Sequence, residues 1–173
     1  MRVIGWIAGV LLLLAVVVFG VGALLPEQHT AIVRAVVPSP LDSVYAALAD
    51  VEASPAWRSD LDSVRVLSQS PLRWVEHGEF GPITYARFIE APPGRLGTRI
   101  EDAGGAFGGR WVWGLEPEGD ATRVTVMEEG EVYNPAFRFL SRFVFGHYGA
   151  LESVVGDLGR RFGADVAIER VEL

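Results

Sequence analysis

Cysteine is absent from the 173 residues. Disulfides, thiolate metal sites and cysteine nucleophiles are therefore excluded. Lysine is absent too, so all 15 basic residues are arginine. A P-loop needs a lysine at the phosphates and a Schiff base needs an amine, so neither chemistry is open to this chain. With abundant Ala, Gly and Val, this usage points to a GC-rich bacterial genome, an inference from codons rather than physics. Positive charge is also scarce. The formal net charge is −7 and the arginines are scattered. Nucleic-acid binding requires clustered cations, so no nucleic-acid partner is expected. The three histidines, His29, His77 and His147, lack metal-ligand spacing. No metal and no cofactor are expected.

What the chain has in excess is apolar character, and the first 25 residues carry most of it. Residues 3–25 contain no charge. At about 1.5 Å per residue they reach roughly 35 Å, against a hydrocarbon core of about 30 Å. The reading is a single transmembrane helix over residues 1–26, ended by Pro26 and Glu27. Trp6 suits the interfacial belt. The alternative is a cleaved signal, because Val21-Gly22-Ala23 is a tolerable cleavage pattern, although the apolar run exceeds the usual ~7–15 residues. Arg2 and the terminal amine are the cations in front, and Arg34 is the next behind. The positive-inside rule then puts the N-terminus in the cytoplasm and the rest outside. Residues 27–173 form one domain, long enough to bury a core without disulfides.

Within that domain, residues 29–37 are β-branched and read as a strand. Pro38-Ser39-Pro40 breaks it, with Ser39 as N-cap and Pro40 as first residue of a helix over 40–51. Residues 55–58 form a short helical turn. From Asp62 the pattern alternates. Segments 62–69, 72–80, 82–91, 95–103, 109–117 and 121–132 read as strands of an antiparallel meander, separated by Pro- and Gly-rich turns. Asn134-Pro135 ends the meander. Phe137, Leu140, Val144, Tyr148, Leu151, Val155, Leu158 and Phe162 then mark one face of a long amphipathic helix, about 136–162. A short β-branched tail closes the chain.

The opening strand into "VPSPLDSVYAALADVEASPAWRSDLDSVRVL", with Trp57 after the first helix, and "GGRWVWGLEPEGDATRVTVMEEGEVYNP" running into the last helix resemble the SRPBCC superfamily, also called START-like or Bet-v-type. The resemblance covers residues 30–163. It implies an α+β helix-grip fold: a seven-stranded antiparallel sheet wrapped around a long C-terminal helix, here preceded by one transmembrane helix. It also implies an internal, mostly apolar cavity for a lipid or other hydrophobic small molecule. Some members catalyse cyclisation or dehydration, without a shared catalytic motif, so no catalytic residue is carried over.

Several side chains are candidates for that cavity. Trp111 and Trp113 share one strand face with Leu115, and either line a pocket or fill the core. Trp74 and Tyr85 are similar, and Trp57 either caps one end or merely packs. His77 sits beside Glu76 on a strand, so the two point to opposite faces. A His77 turned inward can do acid–base work, and one turned outward is simply solvated. His147 lies near the last helix's apolar stripe. Phe143 belongs to an aromatic patch with Phe137, Phe139, Phe145, Arg138 and Arg142, read as a buried face, a cavity lid or a membrane contact. Glu128, Glu129 and Glu131 read as a solvated edge. The expected function is membrane-anchored binding of a hydrophobic molecule. The alternatives are a cyclase or dehydratase and a ligand-free envelope interaction domain. Oligomeric state is not indicated.

Overall fold

The computed structural model describes residues 2–79 and 81–172; the side chains of residues 2–5 and 8 lie outside the described set. An N-terminal helix, α1, spans Arg2–Leu24. Strand β1 (Gln28–Val37) follows, then helix α2 (Leu41–Ala49) and a 3-10 turn at Ser54–Ala56. Six strands come next: β2 (Leu61–Gln69), β3 (Leu72–Gly78), β4 (Gly81–Ala91), β5 (Arg95–Asp102), β6 (Phe107–Glu118) and β7 (Ala121–Val132). The expected third strand thus stops at Gly78, and Phe80 lies outside the described residues. Helix α3 (Pro135–Leu140), a π-helical turn (Ser141–Phe145), helix α4 (Gly149–Arg161) and strand β8 (Glu169–Arg170) complete the chain.

All strands join one antiparallel sheet of order β2-β3-β4-β5-β6-β7-β1-β8. Successive hairpins lay down β2 to β7, and β1 closes against β7 over its full length, from Gln28↔Glu131 to Val37↔Thr122. This is the helix-grip architecture, with an eighth strand beyond the seven expected. Two residues of the β-branched tail, Glu169 and Arg170, pair with Arg34 and Val33 on the far edge of β1. Pairing that short leaves no alternation for a sequence pattern to show.

The core lies between α4, α2 and the β1–β7–β6 half of the sheet. Val33, Val37, Val44, Val124, Val126, Leu151, Val155 and Leu158 are wholly buried there. A fully buried Val or Leu contributes roughly 1.5–3 kcal/mol, so this cluster is the main source of stability. Asp157 latches the far end of α4, accepting from the Ser59 N–H (2.7 Å) and hydroxyl (2.8 Å) and pairing with Arg160.

Three expectations need correction. The helix over 136–162 is not continuous. Gly146 adopts φ 73°, a left-handed conformation that ends the π-helical turn, and a true helix resumes only at Gly149. Ser39 does not cap α2. It is buried, its carbonyl accepts the Thr122 hydroxyl (2.8 Å), and Pro40 occupies the cap position. Glu128 is not a solvated edge residue; the register turns it toward the helices, as described below. Separately, among the residues whose side chains are described, no helix is long and apolar enough to cross a membrane. Residues 2–5 and 8 of α1 fall outside that set.

Candidate functional site

Residues directly opposite each other in a ladder share a face. Ala31, Glu128 and Trp111 form one such row across β1, β7 and β6. Val33, Val126 and Trp113 form the next, and Ala35, Val124 and Leu115 the third. Trp113 continues to Leu96 and Trp111 to Thr98 on β5. Thr98 meets Arg87, Ile100 meets Tyr85, and Tyr85 meets Trp74 on β3. The face that grips the helices is therefore apolar on its β1–β7–β6 side except for Glu128. Toward β3 and β4 it carries Arg87, Tyr85, Trp74 and Glu76.

That polar half is charged and buried. Glu76 is 6% exposed and accepts from Trp74 Nε1 (2.9 Å) and from Arg58 (3.2 Å), which also binds Asp60 (2.6 Å). Tyr85 stacks on Trp74 with centroids 5.8 Å apart. Burial first, and then the Glu76 charge, push its phenol well above the usual range. Arg87 is 9% exposed, with its guanidinium 5.6 Å from the Trp74 ring. Its Nη2 donates to the Ala49 carbonyl (3.4 Å), at the C-terminal end of α2, where the helix dipole favours a cation. Burial lowers the Arg87 pKa, and Glu90 and Tyr45 oppose that.

Arg87 is also incompletely satisfied. Its Nε and Nη1 are buried without a hydrogen-bond partner, as are the Tyr45 hydroxyl and Trp57 Nε1. An unpaired buried donor costs about 1–3 kcal/mol, and native proteins keep few of them. Tyr45 lies close enough to Arg87 to feel its charge, although burial and Glu90 dominate and raise the phenol pKa. Arg87 therefore lies where the C-terminal end of α2 meets the polar half of the sheet. Glu128, in the row of Ala31 and Trp111, has its pKa raised by burial, while a hydrogen bond from Trp111 works the other way.

The sequence-derived candidates separate into four groups. Trp74, Tyr85, Trp111 and Trp113 share the gripping face, with Trp74 and Trp113 buried. Trp57 packs on the core beneath Arg161, 6.0 Å from its ring. His77 points away from this face: Glu76 faces inward beside Trp74, and the strand alternation turns His77 to the outer face opposite Pro82. Phe143 is 59% exposed on the π-helical turn, and His147 stacks on His29 with centroids 4.0 Å apart. The residues missed were Arg87, Tyr45, Glu76 and Glu128. Arg87 follows Tyr85 by two positions and Glu76 follows Trp74 by two, so the shared face was available from alternation once either aromatic was placed inside. Among the described residues, no three His, Cys, Asp or Glu side chains converge on a metal-sized site.

The family model for polyketide cyclase/dehydrase and lipid transport proteins matches residues 37–148. The chain belongs to this family. No curated protein matches it in sequence. Among solved structures it is similar to a START superfamily protein from Mycobacterium smegmatis (18% identity, TM-score 0.62, covering 79% of this chain and 97% of that one). A protein from Thermus thermophilus gives 21% identity and TM-score 0.63, over 78% and 97%. A norcoclaurine synthase from Thalictrum gives 10% identity and TM-score 0.62, over 78% and 94%. At these identities the likeness establishes the fold, one shared by binders of hydrophobic ligands and by polyketide cyclases.

Proposed function

We propose that this protein binds a hydrophobic molecule carrying a carboxylate or other anionic oxygen, held between the sheet and the helices and presented at a membrane by α1. The carrying observation is the buried, unpaired Nε and Nη1 of Arg87, beside the unpaired hydroxyl of Tyr45. Donors without acceptors favour a ligand that brings one, and a planar guanidinium suits a carboxylate in two-point contact. The aromatic side chains Trp74, Tyr85, Trp111 and Trp113, which share the gripping face, suit an apolar body. The uncharged 3–25 run and its length support α1 as the anchor, with the domain on the extracytoplasmic side by the Arg2 asymmetry. Titration of the detergent-solubilised full-length protein with a long-chain fatty acid and its methyl ester, read by tryptophan fluorescence, tests this. The acid should bind more tightly than the ester, and Arg87→Met should erase the difference. Equal binding of acid and ester by the unaltered protein would refute the role of Arg87.

A second reading, a cyclase or dehydratase, is favoured by Glu128. It is an inward carboxyl held above the usual range by burial, which suits a general acid or base. On that reading Glu128→Gln abolishes turnover of a polyketide-like substrate while His77→Ala leaves it unchanged; retained turnover in Glu128→Gln would remove the carboxyl from the mechanism.

A further inference from the structure

The last helix is interrupted where its apolar side chains turn outward. Asn134 caps α3, its side-chain oxygen accepting from the Ala136 N–H (2.9 Å) and the Phe137 N–H (3.3 Å). α3 then lies across the final turns of α1. Between residues 9 and 24 of α1, Gly22 is buried and Val18 half-buried, while every other position is exposed. These two are four residues apart, on one side of the helix. Gly22 is required at this contact, because a Cβ there would overlap the Pro135 carbonyl. Arg138 fastens the junction. It donates to the Leu25 carbonyl (3.0 Å) and the Tyr133 carbonyl (3.2 Å), and meets Glu27 at 3.4 Å.

Immediately beyond, the π-helical turn presents Phe143, Val144 and Phe145, 59%, 62% and 67% exposed. Three consecutive large apolar residues on a water-facing surface are disfavoured, and such patches mark interaction sites. The docking of α3 on α1 leaves this patch one short helix away from the exposed apolar helix that runs from Trp6 to Leu24. Behind the turn lies a concavity of about 330 Å³, lined by Arg142, Tyr148, Glu152 and Arg170 among others.

We propose that the turn 141–145 is an interfacial lipid contact. Phe143, Val144 and Phe145 enter the outer edge of the bilayer that holds α1, Arg142 lies at headgroup level, and the concavity opens at the lipid surface. The partner is a lipid surface rather than a protein. The inference rests on α1 being a membrane helix, and the test separates the two.

Because the chain contains no cysteine, a single Val144→Cys carries an environment-sensitive fluorophore at one site. The full-length protein is reconstituted in phosphatidylcholine vesicles whose lipids bear nitroxides either near the headgroup or near the bilayer centre. Leu12→Cys reports on α1, and Asp120→Cys, in the β6–β7 turn, reports on water. The expected result is quenching at 144 by the shallow nitroxide, at 12 by the deep one, and at 120 by neither. Gly22→Leu, which displaces Pro135, should reduce quenching at 144 while leaving 12 unchanged. Quenching at 12 with none at 144 would overturn the interfacial contact and leave the anchor standing. No quenching at either position would overturn both.

Discussion

Replacing Arg87 by methionine should make the ligand-free protein no less stable while removing its affinity for an acidic ligand. Arg87 leaves two buried nitrogens, Nε and Nη1, unpaired. At about 1–3 kcal/mol each, they cost the folded state roughly 2–6 kcal/mol. Two contacts oppose this: the 5.6 Å stack on Trp74 and the long 3.4 Å bond to the Ala49 carbonyl. Together these contribute about 2–3 kcal/mol. Methionine keeps the apolar stem, fills much of the volume and needs no partner. The expected balance is a gain of about 1–2 kcal/mol, or a rise in melting temperature of roughly 2–8 °C. Binding of a carboxylate ligand should meanwhile weaken by about 10- to 150-fold, the worth of one charged hydrogen bond. Thermal unfolding by circular dichroism reads the first quantity and ligand titration the second. Destabilisation of more than ~2 kcal/mol would show that Arg87 is structurally satisfied, and the reasoning from its unpaired donors would fall.

Three further predictions follow from other parts of the fold. Asp157→Ala removes the acceptor shared by the Ser59 N–H, the Ser59 hydroxyl and Arg160; urea unfolding should show a loss of about 3 kcal/mol, and a loss below ~1 kcal/mol would mean the latch is dispensable. Burial raises the Asp157 pKa, but these partners together hold it below the ordinary value, so its contribution is present above the unfolded pKa and lost as pH falls through the folded one. His29 is lowered to about 4 by burial and by His147, so the unfolded chain binds a proton first and stability should rise with pH between about 4 and 6.5; His29→Asn should flatten that slope relative to the unaltered protein, and an unchanged slope would contradict the assignment. Gly130→Ala places a Cβ against the His29 ring, and should break the His29–His147 stack, visible as movement of both imidazole resonances by NMR.

Much of the sheet was legible because most strands are bounded by Pro or Gly turns, and alternation is clearest in β1 and β7. Trp111, Trp113 and Leu115 were placed on one face from spacing alone, and the register agrees. The choice of face for β3 was not legible. Glu76 and His77 oppose each other by alternation, but only the pairing of Trp74 with Tyr85 decides that Glu76 goes inside. The long final helix misled for a physical reason: Phe137, Leu140, Val144 and Tyr148 keep a 3.6-residue rhythm, yet Phe137 and Val144 are exposed. Hydrophobic periodicity reports which face seeks an apolar neighbour without saying that the sheet supplies it. Glycine at 146, in a left-handed conformation, carried the opposing signal. Arg87 escaped notice because arginine in a strand is ordinarily solvated, and nothing local distinguishes a buried one.

Native mass spectrometry of the detergent-extracted full-length protein, with organic extraction of whatever accompanies it, tests the central claim most directly. The account predicts a stoichiometric apolar adduct bearing an acidic oxygen, which Arg87→Met fails to retain. A protein that is empty as extracted, and takes up no fatty acid, lipid or aromatic polyketide, would contradict it.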